Sequence, residues 1–154
     1  MSHNFDQTVH PGEDQTTARQ VAALVWRTTH SVPDVLLVTS RTTRRWLLPK
    51  GWRDDGLSDA QSAAQEAFEE AGAVTAQDDG ILGTYQYDKI LEDGSRLPCT
   101  VDVFGFKLVR LADHWPEMTQ RVRRWYAAEA AASLVAEPEL ATLISNCCSE
   151  RWRY

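Results

Sequence analysis

Residues 58–72 read SDAQSAAQEAFEEAG and follow the period of an amphipathic helix. Ser58 and Gln61 have the spacing of a capping box, and Gly72 is the residue type that most often follows a helix C-terminus. Small residues recur along one face, namely Ala60, Ala64, Ala67 and Ala71. We therefore predict a helix whose ends are marked by Ser58 and Gly72, and whose alanine face lies close to a sheet.

A neighbouring face of this predicted helix carries three glutamates. Glu66, Glu69 and Glu70 stand at positions i, i+3 and i+4, so their side chains lie next to one another. Like charges at these spacings destabilise a helix by about 0.2–0.5 kcal/mol per pair, and residues 58–72 contain no Lys or Arg to offset them. A divalent cation would remove the repulsion, because Mg²⁺ binds carboxylate oxygens and keeps positions for water and phosphate oxygens. The alternative for an isolated Glu-x-x-Glu-Glu is a solvated acidic surface.

The residues around the glutamates resemble the Nudix box, Gly-x5-Glu-x7-Arg-Glu-hydrophobic-x-Glu-Glu-x-Gly-hydrophobic. The positions that match in register are Gly51, Glu66, Ala67, Glu69, Glu70, Gly72 and Ala73. Two positions differ, because Leu57 stands where the pattern has Glu and Gln65 stands where it has Arg. In that family the arginine braces the glutamates through an ion pair, whereas Gln65 offers hydrogen bonds without a charge. The Glu-x-x-Glu-Glu-x-Gly core of the box is complete.

The resemblance implies a metal site and a set of catalytic residues. The implied metal is Mg²⁺, with Mn²⁺ as the alternative, and its ligands are Glu66, Glu69, Glu70 and a backbone carbonyl of Lys50 or Gly51. Glu66 and Glu70 are the implied catalytic residues, with Glu70 as the first choice of general base. Family members differ in where the base lies, and the candidates outside the box are Glu92, Asp93, Asp102 and Glu117.

The composition is that of an ordinary globular protein. The chain has 154 residues, of which 43% are hydrophobic, and this suits one domain with a substantial core. No apolar run approaches the roughly 20 residues of a membrane span, and the N-terminus lacks the apolar core of a secretory signal. Three cysteines do not make a disulfide framework, so we expect a cytoplasmic protein. We expect either a monomer or a homodimer. A net charge of −6 argues against a general nucleic-acid binder.

Strand and helix patterns alternate along the rest of the chain. We expect an N-terminal tail at residues 1–17, one domain at 18–146 and a C-terminal tail at 147–154. The predicted strands are 19–27, 35–39, 46–49, 81–90, 98–111 and 123–127, and further helices are predicted at 129–135 and 137–145. This order indicates an α/β fold, and it resembles the Nudix-type α/β/α sandwich, which has a mixed β-sheet between helices.

Basic residues flank the predicted metal site on several loops. Arginine suits phosphate because its planar guanidinium donates two parallel hydrogen bonds. The candidate substrate-binding residues are Ser40, Arg41, Lys50, Arg53, Lys89, Arg96, Arg121 and Arg123. For any one of the basic residues, the alternative is a solvated surface charge. Their grouping around a metal site, in a chain that is acidic overall, favours a phosphorylated small molecule as the substrate.

Two segments carry a narrower resemblance. Residues 36–52, LLVTSRTTRRWLLPKGW, and residues 114–126, HWPEMTQRVRRWY, resemble the diphosphoinositol polyphosphate phosphohydrolase branch of the Nudix family. That branch cleaves phosphoanhydride bonds in diphosphoinositol polyphosphates and diadenosine polyphosphates, and we expect the same chemistry here.

Two alternatives to this expectation stay open. One is another Nudix specificity, for ADP-ribose, a nucleoside diphosphate sugar or an RNA 5′ end. The other is a ligand-binding module of the same fold that has lost turnover. Trp52 lies in the loop before the predicted helix, where an exposed ring could stack on a nucleobase.

Overall fold

The computed structural model describes the backbone of residues 18–150 and the side chains of residues 18–146. Within that part, the elements are β1 Ala18–Thr28, β2 Pro33–Thr39, β3 Trp46–Leu47, β4 Lys50–Trp52, α1 Asp59–Ala71, β5 Ala73–Ile90, β6 Arg96–Leu111, β7 Arg123–Ala127, α2 Ala128–Leu134 and α3 Pro138–Glu150. The tail that we predict for residues 1–17 lies outside the described residues. α3 continues to Glu150, and it therefore extends into the stretch that the sequence assigns to a C-terminal tail.

β1 pairs with three other strands in the described part of the chain, and β2 does the same with β1, β3 and β7. β1 runs parallel to β6, antiparallel to β2 at its C-terminal end and antiparallel to β4 at its N-terminal end. β5 pairs with β6 and β7 pairs with β2, both in antiparallel fashion. The strands therefore form one mixed sheet, as predicted. Because Val21 of β1 pairs with Gly51 of β4, β1 also sets the position of the loop that precedes α1.

Alternation along β1 supplies the cores on both faces of the sheet. Val21 and Val25 are fully buried in one cluster, together with alanines of α1. Leu24 is fully buried in a second cluster, with Ala131 of α2 and Leu140 of α3. Successive side chains of a strand point to opposite faces, so one strand can supply both layers. The predicted α/β/α sandwich is confirmed.

α1 begins and ends at the predicted residues. The Ser58 hydroxyl accepts a hydrogen bond from the Gln61 backbone N–H, and the Gln61 side chain accepts one from the Ser58 N–H. Gly72 follows the last turn with φ of 67°, in the left-handed region that favours glycine. These contacts are local in sequence, which is why the pattern of residues predicts them.

The buried alanine face of α1 agrees with the prediction at Ala67 and Ala71 but includes Ala63 in place of Ala60 and Ala64. Ala63, Ala67 and Ala71 are 0% exposed, whereas Ala60 and Ala64 are only partly buried. Residues four positions apart stack in one row along a helix, and the row that starts at Ala63 faces the sheet. Among the three glutamates of α1, Glu70 is the buried one, while Glu66 and Glu69 are partly exposed.

β5 is longer than the predicted strand, which begins at residue 81. It starts at Ala73, directly after the end of α1. Its pairing with β6 shifts register between Val74 and Gly83, and such irregular pairing removes the simple alternation on which strand prediction depends. The predicted turn forms at Asp93–Gly94, where Gly94 has φ of 87°.

Both predicted C-terminal helices form, α2 one residue earlier than predicted and α3 continuing five residues beyond the predicted end at residue 145. Pro138 is the first residue of α3, and proline is tolerated there because the first turn needs no N–H donor. Among the described residues, no helix combines the length and the apolar character needed to cross a bilayer.

Candidate active site

A pocket of about 300 Å³ opens beside the acidic face of α1. Its walls are formed by β1, the loop after β2, β3, β4, α1, β5 and the segment between β6 and β7. The lining residues are Gln20, Arg41, Leu47, Lys50, Gly51, Trp52, Glu66, Glu70, Lys89, Glu117 and Arg121. Four of these side chains are cationic and three are anionic, so the pocket suits a ligand that carries both metal ions and phosphate groups.

Glu66 lies directly against the backbone at Gly51. A Cβ atom at position 51 would collide with the carboxyl carbon and both carboxyl oxygens of Glu66. The pairing of Gly51 with Val21 of β1 holds the backbone at this place. Glycine therefore has a steric role here, because it lets the peptide groups of β4 approach the carboxylate face of α1.

Glu70 is buried, and each of its carboxyl oxygens has a partner. Its Oε1 accepts a hydrogen bond from the Lys50 backbone N–H at 3.3 Å, and its Oε2 lies 3.4 Å from Nη2 of Arg121. The residue is 5% exposed. A hydrogen bond also links its carboxyl group to that of Glu66. Two acidic side chains of the box therefore meet at one point beside β4.

Burial is the main reason why the pKa values of these two carboxyl groups are raised. Burial raises the pKa of Glu70 to about 8, and the nearby charge of Glu66 adds to the increase, while Arg121 opposes it. Burial, followed by the charge of Glu69, raises the pKa of Glu66. Burial also lowers the pKa of the Lys50 ammonium, although Glu70 opposes that shift. Without a cation the carboxyl pair retains protons well above the usual range, and a bound metal ion would take the place of a proton.

The segment between β6 and β7 is anchored to the last turn of α1. The indole N–H of Trp115 donates to the Glu70 carbonyl at 3.2 Å, and the Glu117 N–H donates to the Glu69 carbonyl at 3.0 Å. Arg121 Nε then donates to Glu117 Oε1 at 2.7 Å. These bonds bring a carboxylate that is distant in sequence to the wall of the pocket.

The four base candidates outside the box have different surroundings. Glu117 lines the pocket. Asp102 forms an ion pair with Arg19 at 2.9 Å and accepts a hydrogen bond from Thr84. Glu92 and Asp93 are exposed in the β5–β6 turn. Among the described members of this set, Glu117 alone is a lining residue of the pocket.

Glu69, the third predicted ligand, is not among the lining residues described for the pocket. Its Oε2 accepts a hydrogen bond from the Gln65 amide at 3.1 Å. No cluster of three or more His, Cys, Asp or Glu side chains is arranged for metal binding in the described part of the chain. The pair of Glu66 and Glu70, beside the close backbone of Gly51, nevertheless fits Mg²⁺, which is commonly held by one or two carboxylates together with waters and substrate phosphates.

Half of the predicted substrate-binding residues meet in the pocket. Arg41, Lys50, Lys89 and Arg121 line it, and they come from four separate segments of the chain. The Lys50 ammonium lies 4.7 Å from the centre of the Tyr87 ring, which holds it on the β5 side. Three of these side chains, Arg41, Lys50 and Lys89, add positive charge to the pocket that also contains the carboxyl groups. Arg121 is instead paired with Glu70 and Glu117.

The other predicted substrate-binding residues lie elsewhere. Arg53 borders an adjacent pocket and pairs with Asp59 at 3.1 Å. Arg96 is exposed at the start of β6, with its guanidinium 3.8 Å from Asp88. The Ser40 hydroxyl interacts with Thr43 and accepts a hydrogen bond from the Arg45 N–H, which shapes the loop after β2.

Arg123 hydrogen-bonds to backbone carbonyls near the C-terminus of α1 and is not a lining residue of the pocket. Its Nη1 donates to the carbonyls of Ala71 and Ala112, at 2.9 and 3.0 Å, and its guanidinium lies 3.8 Å from the centre of the Trp115 ring. Carbonyls at the end of a helix lack partners within the helix, and a cation there also offsets the helix dipole. The family resemblance predicts Arg123 as a substrate-binding residue because it forms, with Arg121, a basic pair before the aromatic strand that contains Trp125.

Gln20 lines the pocket, although the sequence did not predict it as a site residue. It lies in β1, is 3% exposed, and accepts a hydrogen bond at Oε1 from the Tyr87 hydroxyl at 2.6 Å. That bond occupies the carbonyl oxygen of the amide, which leaves its NH₂ group as the donor for a ligand. The sequence feature that could have indicated Gln20 is its position as a polar residue near the start of a mainly apolar strand.

Comparisons with known sequences identify the family. The sequence model of the NUDIX domain matches residues 16–147. The mitochondrial Nudix hydrolase 12 of Arabidopsis thaliana is 30% identical over 104 residues, which cover 66% of this chain and 51% of that protein. This chain therefore spans about half the length of the curated relatives that it matches.

Comparisons with solved structures agree on the fold. A binary complex of the C. elegans Ap4A hydrolase superposes with a TM-score of 0.65 at 21% identity, covering 90% of this chain and 100% of that one. The NUDIX domain of Shewanella oneidensis NrtR, complexed with ADP ribose, gives 0.62 at 15% identity, covering 84% and 87%. Because the family match extends over most of the sequence, the chain belongs to the NUDIX domain family, that of the Nudix hydrolases.

Proposed function

We propose that this chain is a divalent-metal-dependent hydrolase that cleaves a phosphoanhydride bond in a highly phosphorylated small molecule. Diphosphoinositol polyphosphates and diadenosine polyphosphates are the substrates that the sequence favours. The observation that carries the proposal is the pocket itself, which is lined both by the carboxyl pair of Glu66 and Glu70 and by Arg41, Lys50 and Lys89. A pocket with this division of charge suits a metal-bound polyphosphate.

The carboxyl pair is the proposed place of the metal ion. Mg²⁺ is the proposed ion and Mn²⁺ is the alternative, held by Glu66, Glu70 and a backbone carbonyl of Lys50 or Gly51. Glu69 contributes indirectly in this proposal, because it hydrogen-bonds to Gln65. When bound, a divalent cation supplies Lewis acidity at phosphoryl oxygens and lowers the pKa of a bound water.

The chain's own residues would orient the substrate and accept a proton. Glu70 is the first choice of base, and Glu117 is the second, because both carboxyl groups border the same pocket. Lys50 and Lys89 would hold phosphate oxygens from the β4 and β5 sides. The Gln20 amide, which is oriented by Tyr87, would donate a further hydrogen bond to phosphate.

A second substrate class is supported by one exposed aromatic ring. Trp52 lines the pocket and is 44% exposed, so a nucleobase could stack on its indole. This observation favours a nucleotide over an inositol and keeps ADP-ribose and nucleoside diphosphate sugars as candidates. The NrtR domain, whose structure contains ADP ribose, is a structural neighbour of this chain.

The test is product release from a panel of substrates, with Mg²⁺ and with EDTA. The panel holds diadenosine polyphosphates, a diphosphoinositol polyphosphate, ADP-ribose, nucleoside triphosphates and a triphosphorylated RNA. Metal-dependent turnover of a diadenosine polyphosphate or of the diphosphoinositol polyphosphate supports the proposed substrate class. The ratio of the two turnover rates identifies the better substrate. Turnover of ADP-ribose or RNA alone overturns that class. Binding of these ligands without any turnover overturns the hydrolase assignment in favour of a ligand-binding module.

The Trp52→Ala and Trp52→Phe variants distinguish the substrate classes further. Loss of stacking should raise KM by roughly tenfold for nucleotides, because stacking of a base on an aromatic ring contributes about 1–3 kcal/mol. Phenylalanine should restore most of this affinity. A diphosphoinositol polyphosphate has no base, so its KM should be the same in all three proteins.

A further inference from the structure

Arg121 contacts three groups through its three guanidinium nitrogens. Nε donates to Glu117 Oε1 at 2.7 Å, Nη1 donates to the Thr39 carbonyl at 3.1 Å, and Nη2 lies 3.4 Å from Glu70 Oε2. The side chain is 10% exposed and the Glu70 side chain is 6% exposed. An arginine in this arrangement has few N–H groups left for a ligand.

The acidic face of α1 has no cation of its own. Residues 59–71 contain neither Lys nor Arg, and the Gln65 amide reaches Glu69 without carrying a charge. Arg121 therefore supplies positive charge to this face from a different part of the chain. It lies between the two carboxylates, Glu70 and Glu117, that border the pocket from opposite segments.

The backbone that carries Arg121 is held at the end of β2. Thr39 N–H donates to the Val122 carbonyl at 3.0 Å, and the Val122 N–H donates to the Thr39 hydroxyl at 2.9 Å. The guanidinium of Arg121 donates a hydrogen bond to the Thr39 carbonyl. Such a closed set of bonds fixes the position of the guanidinium relative to the sheet, and so the positions of both carboxylates.

We propose that Arg121 is a positioning residue, which holds Glu70 and Glu117 in place for the metal ion and the attacking water, and that it is not a reader of substrate phosphate. The proposal rests on the proposed function for the nature of the site. The planar fork of arginine can hold two carboxylates and a carbonyl at once, and the single ammonium of lysine cannot reproduce that geometry. Residues that orient a metal ligand typically change metal affinity by about 10–100-fold when removed.

The experiment compares the wild-type chain with Arg121→Gln, Arg121→Lys and the control Arg124→Gln. Arg124 is exposed on the next strand, with its guanidinium 5.8 Å from the centre of the Trp46 ring. Mn²⁺ binding is measured by electron paramagnetic resonance without substrate, kcat and KM are measured at saturating metal, and folding is checked by thermal melting.

A positioning role predicts about tenfold weaker Mn²⁺ binding and a lower kcat in Arg121→Gln, with KM for substrate unchanged within about twofold. Arg121→Lys should recover part of the Mn²⁺ affinity, and Arg124→Gln should behave as the wild type. Unchanged Mn²⁺ affinity with a KM that rises about tenfold, in either Arg121 variant, overturns the proposal and makes Arg121 a phosphate ligand. If Arg121→Gln does not fold, the Lys variant decides between the two outcomes.

Failure of the proposed function is a separate result. A wild-type protein that binds Mn²⁺ but hydrolyses no substrate overturns the function, whereas the Mn²⁺ affinities of the variants still report on Arg121. A wild-type protein without measurable Mn²⁺ affinity overturns both.

Discussion

The carboxyl group of Glu66 occupies the space that a Cβ atom at Gly51 would fill. The contact joins the loop before α1 to the acidic face of the helix, and it requires a residue without a side chain. It also connects the proposed metal site to β1, because Gly51 pairs with Val21. A small change at position 51 therefore tests the whole arrangement.

Gly51→Ala should displace Glu66 or β4 and thereby disable the site. Misplacement of a reacting group by about 1 Å can cost about 100-fold in rate, and we expect a loss of that order in kcat. Gly56→Ala is the matched control, because the atom nearest to a Cβ there is Asp54 Oδ1 at 3.6 Å, an ordinary contact. Rates and thermal stabilities of both variants should be measured together. A normal rate for Gly51→Ala would contradict the assignment of Glu66 to the site.

Glu70→Gln should lower kcat by about 100-fold or more while leaving the fold intact, because the amide has the same shape but is a poor base and a poor metal ligand. Glu69→Gln is the comparison variant. Its carboxylate is bound by the Gln65 amide, so we expect a loss of less than about tenfold. Steady-state rates and circular dichroism check the pair. If Glu69→Gln loses more activity than Glu70→Gln, the roles of the two residues are reversed.

Lys89→Ala should raise KM for substrates with many phosphates, because Lys89 lines the pocket and a hydrogen bond from a charged group contributes about 1.5–3 kcal/mol. We expect an increase of roughly tenfold for a diadenosine polyphosphate. Arg96→Ala removes an exposed cation on the paired strand, where Arg96 lies near Asp88, and its KM should not change. Equal effects of the two substitutions would indicate general electrostatic attraction in place of a specific contact.

The stability of the metal-free protein should decrease as the pH rises. The pKa of Glu70 is about 8 in the folded chain and 4.5 for an ordinary glutamate, and the pKa of Glu66 is raised as well. Between these values the native state holds a proton that the unfolded chain releases, so raising the pH favours unfolding. We expect the Tm in EDTA to fall between pH of about 5 and pH of about 8, and saturating Mg²⁺ to reverse much of the fall.

Glu70→Gln is the control for this pH dependence, since an amide does not titrate. Its Tm should vary less with pH than that of the wild type in EDTA. An identical pH profile in the two proteins would show that Glu70 does not cause the effect.

Much of the fold could be predicted from the sequence. The ends of α1 are set by Ser58, Gln61 and Gly72, which act through hydrogen bonds between residues close in the chain. β1 and β2 are recognisable in the sequence as continuous apolar runs. These runs arise because both faces of the two strands are buried. The first part of β5 could not be predicted, since its form depends on irregular pairing with β6.

The acidic half of the site was also predictable, because the three glutamates are neighbours within one helix. The contacts of that helix with other segments were not predictable. The sequence named Arg121 and Glu117 as candidates for other roles, but only the fold shows that both reach α1 from the segment after β6, and that Gln20 reaches the pocket from β1.

Arg121 and Arg123 show most directly what only the tertiary structure decides. They are two residues apart in similar sequence, yet one guanidinium joins the carboxylates of the pocket and the other caps the carbonyls at the end of α1. The sequence by itself determined the helix, its carboxylates and the family, because these depend on contacts between close residues and on a local motif. The assignment of each arginine depended on the path of the chain between β6 and β7, since an ion pair forms wherever folding brings its charges together, regardless of their separation in sequence.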